Sequence, residues 1–421
     1  MSGLLGVSEA RRKLLESFAP VSASRLPLPE ARGRVLAAEV ISELDIPHFA
    51  NSSMDGFAVR AEDLVAARPD SPVALQVCGD IPAGVTPEVK VKPGQAARIM
   101  TGAPLPEGAD AVIPVEDTDF NERNPGAAAP EWMKAYRPVK PGENVRPAGQ
   151  DIQVGELALP ANIRLRPQEV AFLAALGVSD VLVYRRPRLA LLSSGDELLP
   201  LGAPLQPGKI YDSNMLILSE LAKTYGAEPF ELGIAGDSEA AVESLLDQAI
   251  EMGVDLIVST AGVSVGAFDF VRSVVEKHGQ IGFWRVNMRP GKPLAFGKYR
   301  KTPLIGLPGN PVSAYVGFEV FVRPALMKLG GMGANTRPAH WVKLQEPLES
   351  DGRESYLRAI VTFEEGRWQA RLTGHQGSGN LRSLVRANAL LIVPSGVKSL
   401  PVGAEVEAWF MEEPSPGNFP G

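Results

Sequence analysis

The feature that most restricts what this chain can become is the stretch from Arg188 to Leu329, where short apolar runs alternate with amphipathic ones. Residues 188–193, 230–234, 255–259, 283–286 and 303–307 read as buried strands. Between them, 215–225 reads as a helix carrying Leu216, Leu218 and Leu221 and closed by Gly226. A second helix carries Val242, Leu245, Leu246, Ala249 and Ile250, with Asp237 or Ser238 placed to cap it and Gly253 to close it. A last helix is expected over 312–329. Strand–helix alternation of this kind predicts a mostly parallel sheet with helices on both faces. A ligand of such a sheet binds beyond the carboxyl ends of its strands, so the loops there come under scrutiny first.

The flanking segments follow other rhythms. In residues 1–45, Ser8 is placed to cap a helix with Leu14, Leu15 and Phe18 on one face, and Pro29 to open a second through Val35, Leu36 and Val40. The pattern changes at Ile46-Pro47 to short β-rich runs such as 73–77 and 111–115, separated by glycine and proline turns. Residues 121–137, rich in Asn, Pro, Gly and Ala, read as a surface insertion. A helix then starts at Pro167, runs through Val170, Leu173 and Leu176, and stops at Gly177. Beyond Gly330, runs at 357–363, 368–372 and 389–393 suggest a small barrel or sandwich. The expected layout is a helical domain in two segments, 1–46 and 148–183, a β-rich domain 47–147 inserted in it, an α/β domain 184–330, and a β domain 331–421. A length of 421 residues accommodates that number of modules.

Composition removes several function classes. With 42 Lys and Arg against 49 Asp and Glu, the net charge of −7 offers no bulk attraction to nucleic acid or an acidic membrane. The single Cys78 excludes a disulfide framework, and it reads as a small strand residue. His48, His278, His340 and His375 lack metal-ligand spacing. There is no signal-peptide pattern and no membrane-length apolar run, so a cytoplasmic location is expected.

Three loops at strand ends have unusual composition: Ser193-Ser194-Gly195-Asp196-Glu197, Thr260-Ala261-Gly262-Val263-Ser264-Val265-Gly266, and Gly306-Leu307-Pro308-Gly309-Asn310-Pro311-Val312-Ser313. The second offers backbone donors and a helix N-terminus to an anion. Each alone also suits an ordinary tight turn. Between Phe283 and Pro303 lie Arg285, Arg289, Lys292, Lys298, Arg300 and Lys301 without one acid, a surface suited to phosphates or an oxyanion. Lys298, Arg300 and Lys301 fit a solvated strand face, whereas two prolines fix the backbone around Arg289 and Lys292. Glu197, Asp237 and Asp269 each follow an expected strand, and Asp55 and Asp151 sit in turns of the earlier modules. Carboxylates beside a phosphate surface suit Mg²⁺, although Asp237 also fits a plain helix cap and Asp269 a first-turn acid.

Taken in order, the motifs resemble one family. They are Asn51-Ser52-Ser53-Met54-Asp55-Gly56-Phe57-Ala58-Val59-Arg60, Arg98-Ile99-Met100-Thr101-Gly102-Ala103-Pro104, Gly149-Gln150-Asp151-Ile152, Ser194-Gly195-Asp196-Glu197-Leu198, Gly262–Gly266, Pro290-Gly291-Lys292-Pro293, Gly306–Ser313 and Gly374-His375-Gln376-Gly377-Ser378. Together they resemble the MoeA-type molybdopterin molybdenumtransferases, which are similar also to the C-terminal domain of gephyrin. The resemblance implies a multidomain α/β plus β fold: a helical dimerisation domain with an inserted β domain, an α/β molybdopterin-binding domain with a parallel-rich sheet, and a C-terminal β-barrel. It implies an elongated homodimer, with the cleft between the α/β domain of one subunit and the inserted β domain of the other. Apolar faces on the N-terminal helices, without an evident partner in that short segment, point to the same interface.

The activity it implies is cleavage of adenylylated molybdopterin with release of AMP and insertion of molybdenum from molybdate, aided by Mg²⁺. Implied catalytic positions are Asp55, Thr101, Asp151, Glu197, Asp237 and Asp269, with Glu197, Asp237 and Asp269 on the metal. Substrate contacts fall on Gly262, Ser264, Gly266, Arg285, Arg289, Lys292, Pro308 and Gly309, and molybdate contacts on Lys292, Pro293, Ser313, Arg358 and Ser378. Implied partners are molybdopterin adenylyltransferase and cofactor-accepting proteins, with neither nucleic acid nor membrane. Arg285 and Arg289 stand where many members have lysine, Thr260-Ala261 replaces a common Ser-Gly or Gly-Gly, and Ala267-Phe268 precedes Asp269 instead of a more polar pair. Three alternatives remain: a molybdopterin adenylyltransferase, which would not need the other modules, a tungsten-inserting relative, and a molybdopterin-binding scaffold without catalysis.

Overall fold

A computed structural model of the chain describes residues 4–120, 128–260, 270–283, 285–333 and 337–411. These form two compact units, one of residues 1–38, 161–167 and 180–421, the other of 39–160 and 168–179.

The first unit contains the expected α/β sheet. Its strands are β1 (Arg188–Ser194), β2 (Glu228–Ala235), β3 (Leu256–Thr260), β4 (Gly279–Phe283), β5 (Ala295–Tyr299) and β6 (Thr302–Leu307), in the spatial order β2-β1-β3-β6-β5-β4. The first four in that order run parallel, and β5 and β4 add antiparallel. Helices Ser213–Thr224 and Glu239–Glu251 connect the parallel strands. Two apolar clusters cover the sheet, one including Leu189, Leu191 and Val258, the other Ala190, Leu192 and Ile257, as period-2 alternation requires of strands buried on both faces. Two strands differ from expectation. The run expected over 283–286 forms earlier, as β4, and Ala295–Tyr299 is an additional strand that the cationic sequence concealed.

The helix expected over 312–329 is helical in three parts: Pro311–Gly317, a π-helical stretch Phe318–Val322 and Arg323–Leu329. The N-terminal helix Val7–Leu15 packs onto this element. Val7, Ala10 and Leu14 are buried in one cluster with Phe318, Phe321 and Leu326. Its apolar face is therefore covered within the chain, and that face no longer argues for a subunit interface. Its N-cap is Gly6, without side-chain capping, and Ser8 lies inside the first turn. The second N-terminal helix does not form. Leu28–Glu30 is one 3₁₀ turn, and Val35 and Leu36 instead bridge to Arg164 and Val183. Those partners lie far along the chain, and tertiary strand-like pairing has overridden the local helical period.

The C-terminal module is a closed barrel of His340–Leu344 (β7), Glu354–Glu364 (β8), Arg367–Leu372 (β9), Ala389–Val393 (β10) and Glu405–Phe410 (β11). The order is β8-β9-β7-β11-β10, and β10 pairs back to β8. The two-residue strand Met288–Arg289 joins this sheet in parallel with Glu354 and Ser355, stitching the cationic turn to the barrel. A second tie is a buried ion cluster. Glu319, 1% exposed in the π-helical stretch, receives both Nε and Nη2 of Arg337 at 3.0 Å and the Tyr225 hydroxyl at 2.8 Å. Arg337 also donates to the carbonyl of Phe410 at the end of β11.

The other unit is built on a five-stranded sheet in the order Ala111–Pro114, Gly56–Val59, Gln95–Ile99, Val73–Ile81, Trp132–Ala135. The expected surface insertion is thus partly wrong: Met133 and Ala135 are wholly buried in the last strand, while residues 121–127 lie outside the described residues. Gly56 is required by close approach, because a Cβ there would run into the carbonyl of Ile113 on the neighbouring strand. The helix Pro167–Ala175 forms as expected. Among the described residues, no helix is long and apolar enough to cross a membrane.

Candidate functional site

The parallel sheet has its topological switch between β1 and β3, the place where this class of sheet opens a binding crevice. There the Ser193 and Thr260 hydroxyls meet at 3.0 Å, both buried. Beyond β1, Gly195 takes φ +142°, and a side chain on it would collide with the Glu197 carboxylate. Beyond β2, the Asp237 amide donates to the Asp196 carboxylate at 3.1 Å, which fastens the two loops together. Ser238 caps the following helix, its hydroxyl accepting from the Ala241 amide at 3.2 Å. Asp237 is thereby relieved of the capping role and stays half-buried beside exposed Glu197 and Asp196. These donors are all carboxylate oxygens, the chemistry that suits a hard cation such as Mg²⁺. No group of three potential metal ligands occurs among the described residues. Asp269, Gly262, Ser264 and Gly266 lie outside them.

A second cluster assembles where β6, the cationic turn and the barrel meet. Its central group is Arg358 of β8, which is 0% exposed. Its Nε donates to Ser383 Oγ at 3.0 Å and its Nη2 to the Gly377 carbonyl at 3.0 Å, while Nη1 is buried with no partner. Gln376 grips the backbone on both sides, accepting from the Arg358 amide at 2.9 Å and donating to its carbonyl at 3.0 Å. Burial, and then the charge of Arg289, push the Arg358 pKa down to about 10, so the guanidinium is charged at neutral pH. An orphaned donor on a buried cation is costly unless an anion completes it.

Other expected residues converge here. Ser378 follows Gly377, and its Oγ accepts from Asn310 Nδ2 at 3.0 Å while its carbonyl accepts from the Val312 amide at 3.1 Å. Ser313, buried, comes next along that helix, and Gly291 lies against its carbonyl. The Lys292 carbonyl accepts from the Val286 and Leu294 amides and closes the turn that bears Arg289, exposed Lys292 and half-buried Pro293. Pro308 is buried, and the Gly309 carbonyl is held by Asn214 Nδ2 at 2.7 Å. Arg285 is exposed. Arg300 lies not on a strand face but in the turn between β5 and β6, at φ 51°, where it pairs with Asp247 at 2.7 Å.

In the other unit, Asp55 accepts from both the amide and the hydroxyl of Thr101, at 2.7 and 2.8 Å. Two motifs distant in sequence thus meet at one carboxylate. Arg98 is bound bidentately by Asp80 and serves that scaffold. Asp151 sits in a separate turn, its amide donating to the Ile46 carbonyl at 2.8 Å. Sequence reasoning missed Asp196, Asn214, Asn310, Gln376 and Ser383. Three of these lay inside quoted motifs and were recognisable as polar members, whereas nothing marked Asn214 or Ser383.

Comparison with known proteins follows the same lines. Residues 5–177 match the MoeA N-terminal region (domain I and II), 190–328 a probable molybdopterin binding domain, and 342–411 the MoeA C-terminal region (domain IV). A molybdopterin molybdenumtransferase of Nostoc sp. is 42% identical over 89% of this chain and 86% of its own length. Molybdopterin molybdenumtransferase 2 of Mycobacterium tuberculosis is 37% identical over 96% of this chain and 98% of its own. The crystal structure of the molybdopterin biosynthesis MoeA protein from Pyrococcus horikoshii superposes with a TM-score of 0.81 at 31% identity, covering 97% of this chain and all of that one. The chain belongs to the MoeA family of molybdopterin molybdenumtransferases.

Proposed function

We propose that this protein inserts molybdenum from molybdate into adenylylated molybdopterin, releasing AMP and forming molybdenum cofactor. The observation that carries the reading is Arg358: a buried guanidinium with an unpaired Nη1, next to the Gly377-Ser378 turn and within the field of Arg289. Molybdate is a tetrahedral dianion, and guanidinium and hydroxyl donors in fixed positions match its oxygens. In this reading Arg358, Ser378, Ser313, Lys292 and Pro293 hold molybdate, while Arg285, Arg289, Lys292, Pro308, Gly309 and the loop with Gly262, Ser264 and Gly266 hold the pterin nucleotide. Four modules in the proportions of the whole family speak against a stand-alone adenylyltransferase.

Glu197 and Asp237, with Asp269, would hold Mg²⁺, which when bound neutralises charge on a phosphoanhydride. Asp196 keeps the Asp237 loop against that of Glu197 through its 3.1 Å hydrogen bond. Asp55, oriented by Thr101, contributes from the inserted β domain, and Asp151 from the second helical segment. The test is to mix protein, adenylylated molybdopterin, molybdate and Mg²⁺ and follow AMP. Asp237→Asn and Asp269→Ala should each slow AMP release by about 10²-fold or more, as removal of a charge-stabilising group does, with melting temperature little changed. Normal turnover in both variants would exclude these carboxylates from the reaction.

The same reading takes the enzyme as a cytoplasmic homodimer that receives its substrate from molybdopterin adenylyltransferase and passes its product to cofactor-accepting proteins. An obligate interface buries on the order of 2,000 Å² or more, so light scattering at micromolar concentration should give twice the chain mass. A chain-mass species would count against the dimer.

A further inference from the structure

A separate cluster of arginines stands in the first unit and shares no residue with the Arg358 pocket. Three distant segments build it. Residues 33–36 are laced to 163–165 by Gly33 N to Leu165 O at 2.8 Å, Leu165 N to Arg34 O at 2.8 Å and Leu36 N to Ile163 O at 3.0 Å, and to Tyr184 by its amide on Val35 O at 2.9 Å. The ladder brings Arg34, Arg164, Arg185 and Arg186 around one half-open cleft, walled by Tyr184 and Tyr225. The cleft opens to solvent, and no acidic residue lines it among the described residues. Arg185 is spoken for, because both its terminal nitrogens donate to Asp255, at 2.7 and 2.6 Å.

The other three are not neutralised in this way. Arg34 donates from Nη2 to the Tyr184 carbonyl at 3.0 Å, and Arg164 from Nη2 to the Tyr225 carbonyl at 3.3 Å. One carbonyl anchors each guanidinium, and the remaining donors keep their capacity. Arg164 Nε is buried with no partner. Burial holds the pKa of Arg34 and Arg164 below the ordinary arginine range, and Arg186 pushes Arg34 further the same way. In a chain of net charge −7, three like charges gathered without a carboxylate repel one another and destabilise the fold unless an anion joins them.

We propose that this cleft is a second oxyanion site, which takes the phosphate group of a small phosphate-bearing ligand. Guanidinium forks match phosphate oxygens in pairs, and the half-open cleft lets the rest of the ligand remain outside. The site stands independently of the molybdate reading.

The test uses the full-length protein at constant ionic strength, with inorganic phosphate and AMP as probes and melting temperature as the first readout. Phosphate should raise the wild-type melting temperature, since a ligand that binds only the folded state stabilises it. Arg186→Gln, an exposed position that should fold normally, and the Arg34→Gln/Arg186→Gln pair should melt at or above wild type without ligand. In calorimetric titration their phosphate dissociation constant should rise about 10-fold or more, the scale of one lost charge-assisted hydrogen bond. Equal weakening of phosphate and AMP binding by these substitutions would identify a free anion as sufficient, weakening of AMP binding alone would identify an esterified phosphate, and binding of both unchanged from wild type would overturn the proposal. If both variants melt lower and bind phosphate as wild type does, the arginines pack the fold and the proposal is overturned.

Discussion

Arg358→Met should raise the molybdate concentration needed for half-maximal turnover by about 10- to 100-fold, because a lost hydrogen bond to a charged group is worth roughly 1.5–3 kcal/mol. Methionine is the informative substitution. The arginine is wholly buried, so alanine would open a cavity, whereas methionine fills most of the space and removes only the charged fork. The barrel should stay folded, since the variant also removes a buried cation that no carboxylate neutralises. Binding of adenylylated molybdopterin should be nearly unchanged. Titrating molybdate against the initial rate of cofactor formation, and the nucleotide by calorimetry, separates the two. Weakened nucleotide binding with intact molybdate dependence would assign this arginine to the other ligand.

The largest effect on stability is expected at Glu319. Glu319→Ala leaves Arg337 without its carboxylate, leaves the Tyr225 hydroxyl bonded to Arg337 alone and strips the countercharge from Arg323, 3.4 Å away and also buried. Breaking one side of a buried ion cluster typically costs about 3–5 kcal/mol, because the surviving charge stays desolvated. Calorimetry should show the transition of this unit moving down by the equivalent amount. Glu319→Gln, which keeps hydrogen bonding but not charge, should fall between. A change under about 1 kcal/mol in Glu319→Ala, the scale of an exposed pair, would mean the cluster is solvated in solution.

The α/β sheet was legible because its strands are continuous apolar runs and its helices carry clear faces, so local and global preferences agree. Legibility failed where a segment takes its structure from distant partners. Val35 and Leu36 look helical with Pro29 before them, yet their hydrogen-bonding partners are Asn162, Ile163 and Tyr184. Strand β5 escaped notice because Gly297, Lys298 and Tyr299 do not alternate cleanly, and it is held in place by antiparallel pairing on both sides. Trp132–Ala135 was hidden by the Pro- and Ala-rich residues before it.

The candidate site divides along the same line. Motif loops announced Glu197, Asp237, Ser313 and Ser378 because unusual residues sat at strand ends. Sequence alone left Asp237 between helix cap and ligand. The Ser238 hydroxyl on Ala241 takes the cap and so removes that reading of Asp237, a distinction of one residue that capping preference does not make. The burial of Arg358 was not legible at all. An arginine in a strand reads as surface, and its enclosure depends on Ser383 and Gly377, which no spacing rule connects to it.

Transfer of molybdenum should be coupled to loss of the adenylyl group. Its most direct test is a single incubation of the protein with adenylylated molybdopterin, Mg²⁺ and molybdate, in which AMP and pterin-bound molybdenum are quantified together. Equal amounts of the two are expected, with pterin-bound molybdenum abolished in Arg358→Met at low molybdate and regained at high molybdate. AMP without pterin-bound molybdenum at any molybdate concentration, or neither product, would contradict it.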